Sequence, residues 1–291
     1  MERKSVKANG MLLLTAIIWG GGFVAQRIGM RSMGPYMFNG FRFALGAITL
    51  LPFLLRQNPD MLPGRRSRKS VLGIGVIAGL FLFFGATFQQ LGLVYTTAGK
   101  AGFVTGLYVI LVPLLGALWG DRAPLQSWLG AILAVIGLYF LSMKGDLRIA
   151  VGDAYVFVGA FFWAGHVQYI ANFTSEVDPL RLSFVQSLVT SGVSFAVGLL
   201  VEDTSSAMIA GALGPIFYGG VISIGIAYTL QIMAQQKARP TPAAIILSLE
   251  SVFAVLWGWV FLGETLSGRG LLGSGLMLCG MVLAQMNSSE P

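Results

Sequence analysis

Long apolar runs recur along the whole chain, and short polar breaks separate them. A helix needs about 20 apolar residues to span the hydrocarbon core of a bilayer. The breaks contain turn-forming pairs such as Gly34-Pro35 and Asp178-Pro179. The pattern therefore predicts an all-α membrane protein with ten transmembrane helices, over residues 10–30, 35–55, 71–93, 99–119, 124–143, 152–172, 180–200, 212–234, 242–262 and 268–287.

The composition supports a membrane protein over a soluble one. Hydrophobic residues make up 55% of the 291 residues and charged residues only 11%, against about 25% charged residues in ordinary soluble domains. The 39 glycines suit helices that pack closely in lipid. The single cysteine, Cys279, and the single histidine, His166, exclude a disulfide within the chain and a zinc site built from several such ligands. We therefore expect no metal and no cofactor.

The distribution of lysine and arginine indicates the orientation, because cytoplasmic loops carry an excess of these residues. With the N-terminus inside, 12 of them fall on the inner side and 6 on the outer side, while Arg42 lies within a helix. The cluster Arg65-Arg66-Ser67-Arg68-Lys69 dominates the inner excess. The net charge of +7 is thus explained by anionic lipid and not by a nucleic-acid partner. We expect a multi-pass protein of the cytoplasmic (inner) membrane with both termini in the cytoplasm.

The two halves of the chain resemble each other at a nearly constant offset. The motif around Trp19 in the first helix aligns with that around Trp163 in the sixth at a shift of 144 residues, and the same shift places Pro35 on Pro179. We infer two five-helix repeats, over 1–148 and 149–291. Because five is odd, the second repeat must cross the membrane in the opposite sense, and inverted repeats are typical of transporters. Two further matches, at a shift of 143, are Gly120-Asp121-Arg122 with Gly263-Glu264-Thr265 and Leu129-Gly130 with Leu272-Gly273.

These motifs resemble the drug/metabolite transporter superfamily in its ten-helix, EamA-type form. The resemblance covers nearly the whole chain and departs from the family pattern mildly, at Ser251, where a proline is usual, and at Asp121, where a glutamate is usual. It implies movement of amino acids, metabolites or drugs across a cytoplasmic membrane, often as export. The residues that carry it are Trp19-Gly20, Arg42-Phe43, Gly152-Asp153 leading to Trp163, Ser248-Leu249-Glu250-Ser251-Val252-Phe253-Ala254, and Leu262-Gly263-Glu264-Thr265-Leu266.

Arg42, Glu250 and His166 are ionisable residues that lie well inside predicted membrane helices, away from the helix ends, where a charge needs a partner or an aqueous cavity. Arg42 shares a helix face with Asn39; it either lines a solute pathway or is a structural arginine that reaches carbonyls or the membrane surface. Glu250 either carries a transported proton or is hydrogen-bonded between helices. His166 shares a face with Trp163 and is either part of a proton relay or a packing residue.

Neutral polar and aromatic side chains complete the candidate pathway. Trp19, Gly22, Phe23 and Gln26 share one face of the first helix, at spacings of three and four. Trp19 and Trp163 hold equivalent places in the repeats and either wall a central cavity or pack against glycines. Such groups suit an amphipathic or zwitterionic solute better than a bare ion. The predicted substrate pathway comprises Trp19, Phe23, Asn39, Arg42, Gln89, Tyr108, Trp163, His166, Tyr228, Gln231 and Glu250.

Together these features predict a secondary transporter that moves small polar or amphipathic metabolites (amino acids, related solutes or drugs) by alternating access, in the direction of export. The alternatives are an intramembrane enzyme or a channel. The chain lacks the H-E-x-x-H, G-x-S-x-G and P-loop motifs, which disfavours an enzyme. A channel is disfavoured by the inverted repeat and by the absence of a clear filter motif.

The predicted topology is open to a direct test. Because the loop charges favour an inside N-terminus and ten crossings return the chain to the same side, reporter fusions at Met1 and at Pro291 should both behave as cytoplasmic. A C-terminal fusion that behaves as periplasmic would show that the number of crossings is odd.

Overall fold

The computed structural model describes residues 2–57, 68–95, 98–118, 120, 123–142, 151–263 and 267–285, and within them the secondary structure is helical, without strands. A π-helical segment, Tyr218–Tyr228, joins the α-helices Ser206–Phe217 and Thr229–Gln235. In chain order the α-helices are α1 (Glu2–Gly29), α2 (Pro35–Arg56), α3 (Arg68–Tyr95), α4 (Ala98–Gly106), α5 (Tyr108–Leu118), α6 (Leu125–Ser142), α7 (Val151–Phe173), α8 (Pro179–Val201), α9 (Ser206–Phe217), α10 (Thr229–Gln235), α11 (Pro240–Leu247), α12 (Glu250–Leu262) and α13 (Gly268–Gln285).

Seven helical stretches in the described part of the chain are long and apolar enough to cross a membrane, which confirms the predicted all-α membrane protein. The number of ten crossings, the inversion of the repeats and their division at residue 148 stay predictions. Three further apolar helices are shorter: Val104–Leu118, Leu125–Phe140 and Gly268–Leu283. The seven stretches are Val6–Gly29, Pro35–Arg56, Val71–Tyr95, Val151–Phe173, Pro179–Val201, Ser206–Gln235 and Pro240–Phe261.

Two predicted spans are interrupted near their middle. The span 99–119 is two helices, because the backbone tightens at Leu107, whose N–H donates to the Val104 carbonyl at 3.3 Å. The span 242–262 is likewise divided at Ser248 and Leu249, and the Leu249 N–H donates to a carbonyl three residues earlier. Hydropathy does not distinguish a broken apolar helix from a continuous one, so the sequence did not reveal either break.

The predicted span 212–234 starts too late. The observed helix begins at Ser206, because the Ser205 hydroxyl caps it by accepting a hydrogen bond from the Met208 N–H at 3.3 Å. Pro215 then lies inside the helix, where its missing N–H disturbs the α-helical pattern, and the chain continues as the π-helical segment. Long π-helices are rare and often occur at functional sites.

The distribution of side chains differs from that in a soluble protein. Many large apolar side chains point outward: Leu200 is 84% exposed and Phe261 is 68% exposed. Polar side chains point inward, and Gln90, His166 and Gln186 are fully buried. This arrangement fits a surface that contacts lipid, since lipid offers no hydrogen bonds to exposed polar groups.

Helices α2 and α8 pack along each other and are tied at both ends. At one end the Glu202 carboxylate, just after α8, accepts hydrogen bonds from the Tyr36 and Met37 N–H groups in the first turn of α2, at 2.9 and 2.8 Å. At the other end Gln57, just after α2, donates to the Asp178 carboxylate that caps α8, at 3.2 Å. Each helix thus caps or braces the start of its neighbour, which fixes the pair in register.

Helices α6 and α13 form a second close pair, and glycines set their separation. A side chain at Gly280 would place its Cβ 2.6 Å from the Gly130 carbonyl oxygen, whereas a Cβ at Gly275 would meet nothing within 4 Å. Both glycines lie on α13, but only Gly280 faces α6.

Valine at Gly280 should therefore destabilise the protein. Gly280→Val forces the two backbones apart, and overpacking of this kind costs about 1–3 kcal/mol. Gly275→Val carries the same β-branched residue on the same helix without a clash and serves as the matched control. Thermal unfolding in detergent should show a clearly lower Tm for Gly280→Val than for Gly275→Val. An equal decrease of the Tm in both variants would contradict the close packing of α13 against α6 at Gly280.

Candidate functional site

A cavity lies inside the bundle, bounded by α1 to α5, α7, the π-helical segment and α10 to α12. The space open to the centre of a water molecule is ≈ 40 Å³, whereas one water needs about 10–15 Å³ by that measure. The cavity therefore admits a few waters, and a metabolite would enter only if the helices moved apart. Its lining residues are Trp19, Phe23, Gln26, Arg42, Gln89, Thr105, Tyr108, Trp163, His166, Val167, Ser223, Tyr228, Gln231, Leu247 and Glu250.

Ten of the eleven residues predicted for the pathway line this one cavity. The exception is Asn39, which lies one turn from Arg42 and contacts its side chain. Of the unpredicted lining residues, Gln26 was already recognisable on the same face of α1 as Trp19 and Phe23. The remaining four lie beside a helix break, on the π-helical segment or among apolar neighbours, and no sequence signal marked them: Thr105, Val167, Ser223 and Leu247.

Aromatic rings meet at Tyr228, the last residue of the π-helical segment. Its ring centroid lies 4.7 Å from that of Trp19 and 6.4 Å from that of Trp163. The His166 ring meets it edge-on at 6.2 Å, and Phe43 lies at 6.3 Å. The two tryptophans therefore flank one tyrosine at the cavity wall, which is one of the two alternatives that the sequence left open. Trp163 meets the other alternative as well, because its ring also packs against Gly85.

A chain of hydrogen bonds joins α7, α3 and α1 across the cavity. Trp163 Nε1 donates to Gln89 Oε1 at 3.0 Å, and Gln89 Nε2 donates to Gln26 Oε1 at 3.1 Å. On the other side Trp19 Nε1 donates to the Ser223 carbonyl at 3.3 Å. Each indole is held in place through its single donor, so the aromatic faces keep a fixed orientation toward the cavity.

Arg42 is 5% exposed and forms the positively charged part of the wall. Its Nε donates to Asn39 Oδ1 at 2.9 Å, and its Cζ lies 5.1 Å from the Phe43 ring centroid. No acidic residue in the described ranges forms an ion pair with it. The π-helical segment lies directly beside α2 here, because a Cβ at Gly220 would come within 2.9 Å of the Arg42 carbonyl oxygen.

Glu250 is the acidic residue of the wall and is also 5% exposed. It is the first residue of α12, directly after the break at Ser248 and Leu249. The structure gives its carboxylate no hydrogen-bond donor among the described residues. The other interrupted helix breaks at Leu107, and its residues Thr105 and Tyr108, on either side of the break, line the same cavity. Both broken helices therefore contribute residues next to their interruptions to the cavity wall.

His166 connects the cavity to α8. Its Nε2 lies 3.1 Å from Gln186 Oε1, while its Nδ1 has no partner within the described part of the chain. The Tyr108 hydroxyl and Gln231 Oε1 are likewise buried without a partner there. Hydrogen-bonding groups of this kind, which are costly to leave unpaired, are available to a polar solute.

The charged and titratable groups of the site do not form a metal centre. In the ranges that the structure describes, no group of three or more His, Cys, Asp and Glu side chains is placed to hold a metal ion. Asp153 lies in the first turn of α7. Asp121, Glu264 and the basic loop around residue 65 lie outside the described residues.

Two proteins of named transport function resemble the chain over most of its length. One, from Archaeoglobus fulgidus, is named an uncharacterized transporter and is 33% identical over 268 residues, which is 91% of this chain and 81% of the relative. The other is the uncharacterized inner membrane transporter YedA of Escherichia coli K12, 26% identical over 275 residues, which is 91% of this chain and 86% of the relative. The names of both are those of transporters and not of enzymes.

A third relative carries a more specific name. It is a probable amino-acid metabolite efflux pump of Escherichia coli K12, 27% identical over 215 residues, which is 70% of this chain and 68% of that protein. A solved crystal structure shares the fold, with a TM-score of 0.79 at 18% identity and 96% coverage of both chains.

The model of the EamA-like transporter family matches the chain twice, over residues 6–143 and again over residues 150–286. Together these matches cover nearly the whole sequence and include the residues around Trp19, Arg42, Trp163 and Glu250 on which the resemblance was first noted. The chain belongs to the EamA-like transporter family.

Proposed function

We propose that this chain is a secondary transporter that exports small zwitterionic or amphipathic metabolites, amino acids or related solutes, from the cytoplasm by alternating access. The observation that carries the proposal is that Arg42 and Glu250 line the same buried cavity without forming an ion pair with each other. A buried charge without a partner is unfavourable, so each awaits a charge of opposite sign.

A zwitterion supplies both charges at once. The planar guanidinium of Arg42 suits a carboxylate, which it can bind through two hydrogen bonds. Glu250 suits an ammonium group, and the faces of Trp19, Trp163 and Tyr228 add cation–π attraction. The aromatic walls also favour apolar side chains, so the site fits amphipathic amino acids and related compounds.

Alternating access is supported by the helix arrangement. The two interrupted helices hold corresponding places in the predicted repeats, and both interruptions reach the cavity. Discontinuous helices around a central site are characteristic of transporters built from inverted repeats. We infer ten crossings, with the short helices α6 and α13 and the broken helix α4–α5 completing the seven longer spans.

Export across the inner membrane, with both termini in the cytoplasm, is supported by two kinds of observation. The lysine and arginine distribution favours this orientation. One relative is named an inner membrane transporter, and another an amino-acid metabolite efflux pump. We carry the location and the direction of transport over to this chain as part of the proposal.

Counterflow into proteoliposomes tests the solute class. Vesicles loaded with a neutral amino acid should accumulate the labelled compound, and unlabelled zwitterions should compete. Analogues that lack either the ammonium or the carboxylate should compete at least about tenfold more weakly, since a hydrogen bond to a charged group contributes about 1.5–3 kcal/mol. Equal competition by the amine, the acid and the amino acid would contradict the zwitterion site.

Arg42 variants test how the carboxylate is bound. Arg42→Lys keeps the charge but loses the planar fork, so the KM for amino acids should rise about tenfold. Arg42→Gln should abolish counterflow, whereas Arg31→Lys, which changes an exposed arginine after α1, should leave it unchanged. Full affinity in Arg42→Lys together with an inactive Arg42→Gln would mean that charge alone binds the carboxylate.

Glu250 is the proposed site where solute and proton exchange. If the ammonium group and a proton occupy its carboxyl alternately, an inward proton gradient drives the solute outward. Glu250→Gln preserves the shape of the side chain but cannot exchange a proton, so it should retain counterflow at a raised KM and lose all acceleration by an imposed pH gradient. His166→Gln in the same assay tests the other titratable group of the wall. If both variants respond to the gradient as the parent does, neither residue couples protons to transport.

A further inference from the structure

The face of α8 that points into the bundle is polar along its inner half. Ser183, Gln186 and Ser187 occur at spacings of three and four and are all fully buried. We refer to these three residues as the α8 stripe. Ser183 and Ser187 lie about 6 and 12 Å along the axis from the start of the helix, which is its cytoplasmic end in the proposed topology.

The α8 stripe contains buried polar atoms without partners. The Ser183 Oγ, the Gln186 Nε2 and the Ser187 Oγ form no hydrogen bond with the described residues. Deeper along α8 the pattern changes: the Thr190 hydroxyl donates to the Gly79 carbonyl at 3.0 Å, and the Ser191 hydroxyl donates to the Gly40 carbonyl at 2.9 Å. Three of the four side chains of α8 that keep an unpaired buried polar atom therefore lie in its inner half, and the fourth is Ser194 farther along the helix. Such groups normally meet water or a ligand.

The α8 stripe contacts the cavity wall through Gln186. Gln186 Oε1 lies 3.1 Å from Nε2 of His166, which lines the cavity wall. The offset of 144 residues between the repeats places Gln186 at the position of Arg42, and Ser183 at the position of Asn39. In the proposed topology, Arg42 and Asn39 lie on the side of the cavity that faces the outer end of α2. Gln186 and Ser183 hold the corresponding positions of the second repeat, on the side of the cavity that faces the inner end of α8.

An apolar cluster packs next to the α8 stripe. Ile170 lies one turn from His166 on α7, and Leu182 directly precedes the stripe on α8. Both are fully buried and pack in a cluster with Ala78, Val177 and Ile232. These residues come from α3, α7, α8, α10 and the turn before α8, so the cluster opens only if helices separate at the inner end.

We propose that the α8 stripe is the cytoplasmic branch of the solute pathway, which the apolar cluster of Ala78, Ile170, Val177, Leu182 and Ile232 closes and which fills with water when the inner end opens. The proposal rests on alternating access as the proposed function. It assigns Gln186 as the residue that receives the solute from the cytoplasm and passes it to the cavity beside His166, without any charged side chain on the stripe.

Thiol labelling tests the branch without measuring transport. In a Cys279→Ala background, Ser183→Cys and Ser187→Cys introduce thiols of nearly unchanged size, and Leu188→Cys introduces one at the same depth on the lipid-facing side, where Leu188 is 47% exposed. A negatively charged, membrane-impermeant methanethiosulfonate is added to the cytoplasmic face of inside-out vesicles. The cysteine thiolate attacks the sulfenyl sulfur of the reagent and displaces methanesulfinate, and the thiolate forms in water and not in lipid.

Both stripe thiols should react at least about tenfold faster than the thiol of Leu188→Cys, because only they contact water. If Ser187→Cys reacts as slowly as Leu188→Cys, the proposal is overturned. Fast reaction of Ser183→Cys does not change this outcome, because a reactive thiol near the helix end shows only that the end is hydrated. Reaction from the outer face alone also overturns it. Since the rates are measured without solute, an incorrect solute class would appear in the counterflow assay and leave this result unaffected.

Discussion

The absence of water in the hydrocarbon core is the constraint on which the structure depends. A polar side chain that faces lipid finds no hydrogen-bond partner, so the polar residues of the spanning helices turn inward and large apolar residues such as Leu200 cover the outside. Some inward polar groups keep no partner among the described residues, and four of them, on Thr105, Tyr108, His166 and Gln231, line one cavity with Arg42 and Glu250. Buried ionisable groups beside unpaired polar atoms are what the proposed pathway adds to ordinary helix packing.

The irregular backbone of the bundle follows from the same constraint. The π-helical segment presents glycines to α2, so that its backbone approaches Arg42 closely while Tyr228 reaches the two tryptophans. The break before Glu250 places that residue at the start of a helix and beside the cavity. Non-helical backbone is tolerated at membrane depth only where protein or a polar cavity surrounds it, and all three irregular segments meet this condition.

The sequence predicted the helical class, most spans and most residues of the cavity wall, because each depends on a periodic or compositional signal. Arg42, His166 and Glu250 could be selected since ionisable residues are rare in apolar helices. The breaks at Leu107 and Ser248 could not be predicted, because the hydropathy of an apolar run is the same whether its helix is continuous or interrupted. Ser223 was missed for a related reason: its backbone carbonyl, and not its side chain, binds Trp19, and a carbonyl carries no residue-specific signal.

The divergence between the two repeats bears on the charge of the solute. The position of Arg42 in the first repeat corresponds to the neutral Gln186 in the second, and the place of Glu250 in the second has no acidic counterpart lining the cavity. The wall therefore carries one basic and one acidic group, and their charges cancel when both groups are ionised. A bare anion or cation would satisfy one group and leave the other unpaired in a medium of low dielectric constant, at a cost of several kcal/mol by order of magnitude. A zwitterion leaves neither charge uncompensated, whereas a neutral solute accompanied by a proton on Glu250 would leave Arg42 without a counter-charge. In the proposed site, the difference between the two repeats at these positions gives the cavity one basic and one acidic group and therefore a preferred orientation for a zwitterion.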